Sequence, residues 1–459
     1  MSPQKHSHSS QGSKRFSTRS PKSRRWRWLW MASGLVGVAI VSATAGAFLA
    51  ATLASTPLLQ SQLSPEDADA FDQDGISSGE TFQLPKLTRP VNILVLGVKV
   101  LSSDVENPPP EVRDLGYHAL VNSFDGLSDT MMLVRFDPRD NTVTVLSLPR
   151  DTRTFVDGVG VTKLNDANAY GGPALAARSV SYLLGDISID RYVRINVQGV
   201  EKLIDALGGV TVYVPQDMRY QDDSQHLYIN LEEGEQHLDG EQAMQFLRFR
   251  YDQYGDIGRV QRQQAFMGAL IEQTLSPVTL ARMPRILSVI QDNIDTNLTV
   301  EETVALVGFA STTQRSDVQM LMLPGDFSLS GEYELSYWLP NYNAIDAMVD
   351  QYFVRGRSQD LVEPRRLRIA IQDTMGRPRS VSRLLDKLYD AGYDNAYLEA
   401  NSTEPLATTR IIVQQGDTQS AEELQRVLGF GDVRVESTGV LDSDITIRVG
   451  EDWLESDRP

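Results

Sequence analysis

The chain has 459 residues, enough for two or three domains, and carries a formal net charge of −18 with 41% hydrophobic residues. It contains no cysteine, which excludes disulfides, thiolate zinc sites and cysteine nucleophiles, and its five histidines offer little for a histidine metal cluster. The acidic balance also argues against non-specific nucleic-acid binding, which needs basic surface.

The N-terminal segment predicts a membrane anchor. Residues 1–28 hold eight Lys/Arg and no acidic residue, and residues 29–55 contain no charged side chain. An apolar run of this length crosses a bilayer as a helix, and its basic flank favours the cytoplasmic side. We therefore expect a basic cytoplasmic tail over 1–28, one transmembrane helix over 29–55 and export of the remainder. A cleaved signal peptide is the alternative, with Ala50 and Ala54 as small residues near a cleavage site.

A polar segment separates this anchor from the first predicted domain. Residues 56–88 are rich in Ser, Asp, Glu, Gln and Pro, a composition typical of a linker. The near-continuous apolar run VNILVLGVK (91–99) then predicts a buried strand that opens a domain over 89–354. A proline-containing insertion over 100–127 predicts a long loop or lid.

Three candidate functional residues lie at the ends of a predicted hairpin. TMMLVRF (130–136) and TVTVLSL (142–148) read as strands joined by a turn. Asp129 precedes the first strand, and Arg150 and Asp151 follow the second. Catalytic groups of α/β folds commonly occupy such strand ends, whereas the alternative is an ordinary turn with a surface ion pair.

Further strands and helices extend this domain. The motif KLNDANAYGGP (163–173) leads into a helix, and strands at 192–197 and 210–214 flank a helical segment as a β-α-β unit. Amphipathic segments at 276–311 and 341–354 are expected to cover the sheet, with VQMLMLP (318–324) as an edge or late strand.

The stretch from Gly234 to Gln264 gathers arginines around a break between two predicted helices. Asp239 can cap the first helix, which should end near Arg250, and a second periodic run starts near Ile257. The arginines of this stretch are Arg248, Arg250, Arg259 and Arg262. Guanidinium groups bind phosphate oxygens bidentately, so the cluster suits a ligand with several phosphate oxygens. A surface salt-bridge network with Asp252 and Asp256 is the alternative.

A second domain is predicted beyond a linker over 355–364. Strand-like and helix-like segments alternate over 365–453, which predicts a small α/β sandwich. No chemical constellation occurs in it, so an interaction or substrate-contacting module is the expected role.

The motifs over roughly residues 90–275 resemble the LytR-CpsA-Psr family, membrane-anchored phosphotransferases of bacterial envelopes. They are NILVLG, SDTMMLVRFDP, LSLPRDT, KLNDANAYGG, LIDALGGV, HLDGEQAMQFLRFR and DIGRVQRQQ, in the family's order and spacing. The C-terminal residues look like the small LytR-type domain often appended to this family.

The resemblance implies an α/β fold with a mixed central sheet wrapped by helices and a deep apolar groove for a polyprenyl chain. It implies transfer of a glycopolymer from a polyprenyl-pyrophosphate carrier to an envelope acceptor, commonly a peptidoglycan sugar hydroxyl. The partners would be that lipid-linked glycan, the acceptor glycan and membrane lipid, with no nucleic acid. The location would be the bacterial cytoplasmic membrane, with the catalytic domain outside the cytoplasm.

Site roles follow from the same motif matches. The resemblance places the pyrophosphate on Arg150, Arg248, Arg250 and Arg259, with Arg262 beside them, and Mg²⁺ on Asp129. Asp129, Arg150, Asp151, Arg248 and Arg250 are the implied catalytic set, and either Asp151 or Asp256 would act on the acceptor hydroxyl.

Two departures from the family pattern bear on metal and on function. Lys99 stands near the place of a second acidic metal ligand, and Leu127 stands where Arg commonly precedes SDT. Asp104 or Asp125 could supply the missing carboxylate from the inserted loop. Mg²⁺ is therefore a weaker expectation than arginine-based binding. A polyprenyl-pyrophosphate hydrolase and a non-catalytic lipid-glycan scaffold are the alternative functions.

Overall fold

The computed structural model describes residues 63–79, 85–99, 124, 126–223, 227–249, 255–274, 277–329, 331–354, 364–400, 402, 404–414, 417–440 and 442–456. All of them belong to one compact unit spanning Pro57–Pro459. The predicted tail, the predicted transmembrane helix and most of the predicted 100–127 loop lie outside these ranges. Within the ranges, no helix combines the length and apolarity needed to cross a bilayer.

The first part of the chain folds around a six-stranded mixed sheet. Its strands and those of the small sheets beside it are β1 Ser77–Ser78, β2 Lys86–Leu87, β3 Val91–Lys99, β4 Leu127–Asp137, β5 Thr142–Leu148, β6 Arg153–Val156, β7 Gly160–Lys163, β8 Arg191–Asn196, β9 Val210–Val214, β10 Met218–Asp222, β11 Leu227–Leu231, β12 Gly234–Leu238, β13 Ile294–Thr296, β14 Val318–Met322, β15 Gly325–Phe327 and β16 Trp338–Pro340. The large sheet has the order β13-β8-β3-β4-β5-β14. Its β3–β8 and β5–β14 pairs are parallel, and its other neighbours are antiparallel. The predicted mixed sheet, the β4–β5 hairpin and the late edge strand are confirmed.

Helices cover both faces of this sheet. They are α1 Pro65–Ala68, α2 Asp166–Leu183, α3 Val197–Leu207, α4 Gly240–Arg248, α5 Gly255–Thr274, α6 Pro277–Asn293, α7 Val300–Ala310 and α8 Tyr342–Val349. The capping box of Asp239 and Gln242 starts α4, and the extended backbone of Phe249 (ψ 136°) ends it. The arginine-bearing helix therefore ends at Arg248, close to the predicted end near Arg250.

Alternate residues of the central strands point to opposite faces of the sheet, one packed in the hydrophobic core and the other lining a cavity. Leu94 and Leu96 of β3 are fully buried in a core that includes Ala176 and Val180 of α2. The intervening Val95 and Gly97 point to the opposite face and line a cavity. One strand thus supplies both the structural core and a wall of the candidate site.

Two segments differ from the sequence prediction. Residues 63–79 were assigned to a linker, yet Phe71 and Ile76 are 4% and 0% exposed and belong to the core clusters. Single apolar residues in a polar stretch are a weak signal, which explains the difference. Strand β9 was expected to complete a β-α-β unit, but it pairs with β12 in a separate two-stranded sheet.

The C-terminal residues form a second sheet that abuts the first. Its elements are β17 Ile369–Asp373, α9 Pro378–Asp390, β18 Ala396–Leu398, β19 Arg410–Val413, α10 Thr418–Leu428, β20 Asp432–Val435, β21 Ile445–Val449 and α11 Asp452–Ser456. The strand order is β18-β17-β21-β19-β20. A bridge from Met320 of β14 to Glu436, just after β20, joins the two sheets edge to edge. Arg315 adds ion pairs to Glu436 and to Glu272 of α5 across the same junction.

Candidate active site

A cavity of about 550 Å³ lies between the open face of the sheet and helices α3, α4 and α5. Most of its wall is apolar: Val95, Gly97, Val98, Met132, Val193, Ile195, Val197, Val200, Leu203, Ile204, Leu207, Met244, Leu247, Phe266, Met267, Leu270 and Ile294. This volume and lining suit a flexible hydrocarbon, because ligand sites are concave, mostly apolar and supplied with few polar groups.

Most of the polar lining of the cavity lies near the start of β4 and the α4–α5 junction, and Asn196 and Tyr220 lie elsewhere in the wall. Asp129 and Thr130 are the third and fourth residues of β4, and Thr130 accepts a hydrogen bond from Gln263 Nε2 at 3.0 Å. Arg259 lies one helical turn before Gln263 on α5, and Arg248 is the last residue of α4. Two predicted arginines and the predicted acidic residue therefore line the same apolar cavity.

A second network surrounds Asp129 from the end of β5. Arg150 Nη1 lies 2.6 Å from Asp129 Oδ1, and its Nε lies 3.4 Å from Asp151 Oδ2. Lys163 Nζ binds Asp151 Oδ1 at 2.8 Å. The backbone N–H of Asn165 donates to the Arg150 carbonyl at 3.1 Å and fixes this turn. Alternating positive and negative charge thus runs from the cavity to the β6–β7 hairpin.

Arg262 has a different environment from Arg259. Its side chain is 7% exposed, donates to the Phe249 carbonyl and lies 5.7 Å from the centre of that ring. Burial lowers the pKa of Arg262 to about 10. Arg262 does not line the cavity. Its contacts hold Phe249, the residue that follows Arg248 at the end of α4.

Burial and the nearby Glu241 carboxylate raise the pKa of Glu201, while the Arg248 guanidinium acts in the opposite direction. Glu201 belongs to α3, the helix that packs against α4. Arg248 therefore lies close enough to the Glu201 carboxylate to affect its pKa and also lines the cavity.

Several predicted residues lie outside the described part of the molecule. Arg250, Asp104 and Asp125 fall in undescribed ranges, and the side chains of Lys99 and Asp256 are not described. Their predicted roles stay predictions.

Asp129 could supply one carboxylate to a metal ion. Among the described residues, no group of three or more His, Cys, Asp or Glu side chains could hold an ion. Mg²⁺ commonly takes only one or two protein carboxylates together with substrate phosphate oxygens. The described carboxylate therefore fits a Mg²⁺ that is bound jointly with a phosphate ligand.

Sequence reasoning missed a buried cluster that supports the segment before Asp129. Arg194 Nη2 and Asp295 Oδ2 lie 2.6 Å apart, with side chains 5% and 3% exposed. Arg194 Nη1 also donates to the Phe124 carbonyl at 3.3 Å, and Asn168 Nδ2 donates to the Gly126 carbonyl at 2.8 Å. The available signal was a charged residue inside the otherwise apolar strand YVRINV.

Comparison with known proteins extends this picture. The family model described as the LytR_cpsA_psr family matches residues 59–353, and that of the LytR cell envelope-related transcriptional attenuator matches 366–453. The polyisoprenyl-teichoic acid–peptidoglycan teichoic acid transferase TagV of Bacillus subtilis (strain 168) is 33% identical over 223 residues, 47% of this chain and just over half (56%) of TagV. The transferase TagU of Oceanobacillus iheyensis is 31% identical over 293 residues, covering 62% of this chain and 81% of TagU. The crystal structure of B. subtilis TagV is 27% identical with a TM-score of 0.48, covering 59% of this chain and 99% of that chain.

Proposed function

Because the chain belongs to the LytR-CpsA-Psr family, we propose that it moves a glycopolymer from a polyprenyl-pyrophosphate carrier to a hydroxyl of a cell-envelope glycan, most simply a peptidoglycan sugar. The observation that supports this most is the apolar cavity that ends at Asp129, Arg248 and Arg259. A hydrocarbon chain fills such a wall, and guanidinium groups beside it meet a pyrophosphate.

The reaction is a phosphoryl transfer. The acceptor oxygen attacks the glycan-linked phosphorus, and the bond from that phosphorus to the bridging oxygen of the pyrophosphate breaks. The products are a sugar phosphodiester and polyprenyl monophosphate, and the hydroxyl proton leaves to a base or to water. Such transfers depend on positioning and charge neutralisation more than on covalent work by the protein. Arg150, Arg248 and Arg259 would neutralise the charge that builds on the departing monophosphate.

Asp129 would contribute the protein ligand to a Mg²⁺ that takes its other oxygens from the pyrophosphate. Such an ion would supply additional charge neutralisation at the phosphate oxygens. Arg150 holds the Asp129 carboxylate at 2.6 Å and so fixes its orientation before any ion binds.

Asp151 would position Arg150 and Lys163 beside the donor phosphate, and either Asp151 or Asp256 would act on the acceptor hydroxyl. The Asp151 carboxylate lies 3.4 Å from Arg150 Nε and 2.8 Å from Lys163 Nζ. Arg250 and Asp256 belong to the proposed site by motif alone. We also propose that residues 29–55 anchor the chain in the cytoplasmic membrane with the cavity outside the cytoplasm.

The test uses the full-length protein in detergent with a polyprenyl-pyrophosphate-linked glycan. Release of polyprenyl monophosphate is followed with and without Mg²⁺ and peptidoglycan fragments. Arg248→Ala should lower the rate by about 100- to 1,000-fold, as removal of one transition-state charge donor does. The control Arg219→Ala changes an arginine whose side chain is 68% exposed, and it should leave the rate unchanged.

Two other results would reject the transferase function, and a third would reject the role of the arginines. Release that proceeds equally without acceptor identifies a hydrolase. Tight donor binding without release identifies a scaffold. An unchanged rate in Arg248→Ala separates the arginine cluster from the chemistry.

A further inference from the structure

An exposed aromatic and basic surface adjoins the candidate site and is not used by the mechanism above. Strands β6 and β7 pair Arg153 with Lys163 and Phe155 with Val161. Thr154 is buried, whereas Phe155 and Val161 are 46% and 53% exposed, so one face of this hairpin points to solvent. Alternate residues of a strand point to opposite faces, so these exposed residues share one surface.

Tyrosines from two other segments surround the hairpin. The Arg153 guanidinium lies 5.2 Å from the centre of the Tyr333 ring and 6.0 Å from that of Tyr337, and these two rings meet edge to face at 5.4 Å. Tyr182, 56% exposed at the end of α2, packs edge-on against Phe155 at 6.1 Å. We name this surface the tyrosine platform: Arg153, Phe155, Lys163, Tyr182, Tyr333 and Tyr337.

The platform is connected directly to the candidate site. Lys163 lies 5.8 Å from the Tyr337 ring and also binds Asp151 at 2.8 Å. The Trp338 N–H, one residue after Tyr337, donates to the Asp151 carbonyl at 2.9 Å. No platform residue lines the apolar cavity, so the platform begins beside Arg150 but outside the proposed lipid site.

We propose that the tyrosine platform binds the acceptor glycan, a conclusion that rests on the proposed function. Weakly positive C–H groups on one face of a pyranose ring pack on the negative face of an aromatic ring. Tyrosine also offers a hydroxyl to sugar oxygens, and Arg153 and Lys163 attract acidic substituents in a protein whose net charge is −18. An acceptor hydroxyl must come within about 3 Å of the phosphorus, and a glycan on the platform ends beside Arg150.

The test separates acceptor binding from donor chemistry in the full-length protein. Tyr333→Ala and Tyr337→Ala should each raise the KM for soluble peptidoglycan glycan fragments about tenfold, with kcat and donor affinity unchanged. Tyr337→Phe keeps the ring and should restore most of the affinity. The control Tyr228→Ala removes a tyrosine that is 53% exposed on β11 and should leave the acceptor KM unchanged.

Calorimetric titration of the same fragments tests the platform even if the protein releases no monophosphate, so failure of the proposed function and failure of the platform are distinguishable. Weaker fragment binding in Tyr333→Ala at an unchanged melting temperature supports the platform. Arg153→Gln supplies a second variant if a tyrosine change prevents folding. Unchanged fragment binding in these variants overturns the proposal. If the variants instead lose binding to phosphatidylglycerol vesicles, the platform is a membrane-contacting surface.

Discussion

The Arg194–Asp295 pair should be required both for stability and for the geometry of the candidate site. Both side chains are nearly inaccessible, at 5% and 3% exposure, and their charged atoms lie 2.6 Å apart. Removing one partner of a buried pair leaves an uncompensated charge and costs about 3–5 kcal/mol. Arg194→Met should lower the free energy of unfolding by that amount, measured by urea denaturation.

The same strand provides a matched control. Arg191 pairs with Glu302 at 2.7 Å, with side chains 9% and 6% exposed. Arg191→Met should cost a similar free energy, but its other contacts are carbonyls of Asp72, Asp74 and Asp190 and not the segment before Asp129. Of the two arginines, Arg194 also donates to the Phe124 carbonyl, at 3.3 Å, an oxygen that Asn168 Nδ2 binds at 3.1 Å.

Arg194→Met and Arg191→Met should therefore differ in their rates of polyprenyl monophosphate release. Arg194→Met should lower monophosphate release about 10- to 100-fold under conditions where the protein remains folded, because displacement of a catalytic group by about 1 Å has effects of this size. Arg191→Met should stay within about twofold of the wild type. Adding Asp295→Asn to Arg194→Met should recover at least half of the lost stability. A stability loss below about 1 kcal/mol, or equal turnover losses in both variants, would refute the reasoning.

Three further outcomes follow from single sites. Burial raises the pKa of the Glu302 carboxyl, but hydrogen bonds from Arg191 and from backbone N–H groups outweigh burial, so the net pKa is lowered. The Glu302 carboxylate therefore stabilises the fold at pH values above the pKa of the unfolded state. This stabilisation is lost as the pH falls through the pKa of the folded state. Glu302→Gln should thus flatten the acid limb of a melting-temperature profile. Arg315→Ala, at the junction of the two sheets, should lower the free energy of unfolding by about 3 kcal/mol and speed hydrogen exchange in α5. The control Arg365→Ala changes a side chain that is 80% exposed and should lower the free energy of unfolding by less than about 1 kcal/mol. Gly308→Ala places its added carbon in open space and should stabilise the protein by up to about 1 kcal/mol through α7. Gly240→Ala places its added carbon against the backbone of α3 and should destabilise the protein. Thermal melts measure both effects.

Local patterns predicted the central sheet and much of the candidate site because the decisive residues are close to strand ends. Asp129 lies near the start of β4 and Arg150 follows β5, and the sequence predicts these two strands as a hairpin, so their 2.6 Å contact follows from that hairpin. Arg259 and Arg262 are three residues apart on α5 and both are buried, but of the two only Arg259 lines the cavity. The two arginines differ because Arg262 binds the Phe249 carbonyl, and local spacing does not specify where Phe249 lies.

Long-range pairings were not predictable in the same way. Lys163 contacts Asp151 because the β6–β7 hairpin returns in a particular register, and local sequence patterns do not identify the cross-strand partner of Lys163. Arg194 and Asp295 are far apart in sequence and meet only through the antiparallel β8–β13 pair. A lone charge in an apolar strand indicates a buried partner, but it does not identify which residue that partner is.

Helix α5 explains why the C-terminal domain is more than an appended module. One face of the helix presents Arg259 and Gln263 to the cavity. Its other face is fixed by the second domain, where Gln261 donates to the Gly439 carbonyl at 2.9 Å and Gln264 accepts from the Ser437 N–H at 3.0 Å. Strand β14 would otherwise present an open sheet edge, which proteins usually cover. The second domain covers that edge and holds the helix that carries the cavity-lining Arg259, so removal of the domain should displace the candidate site itself.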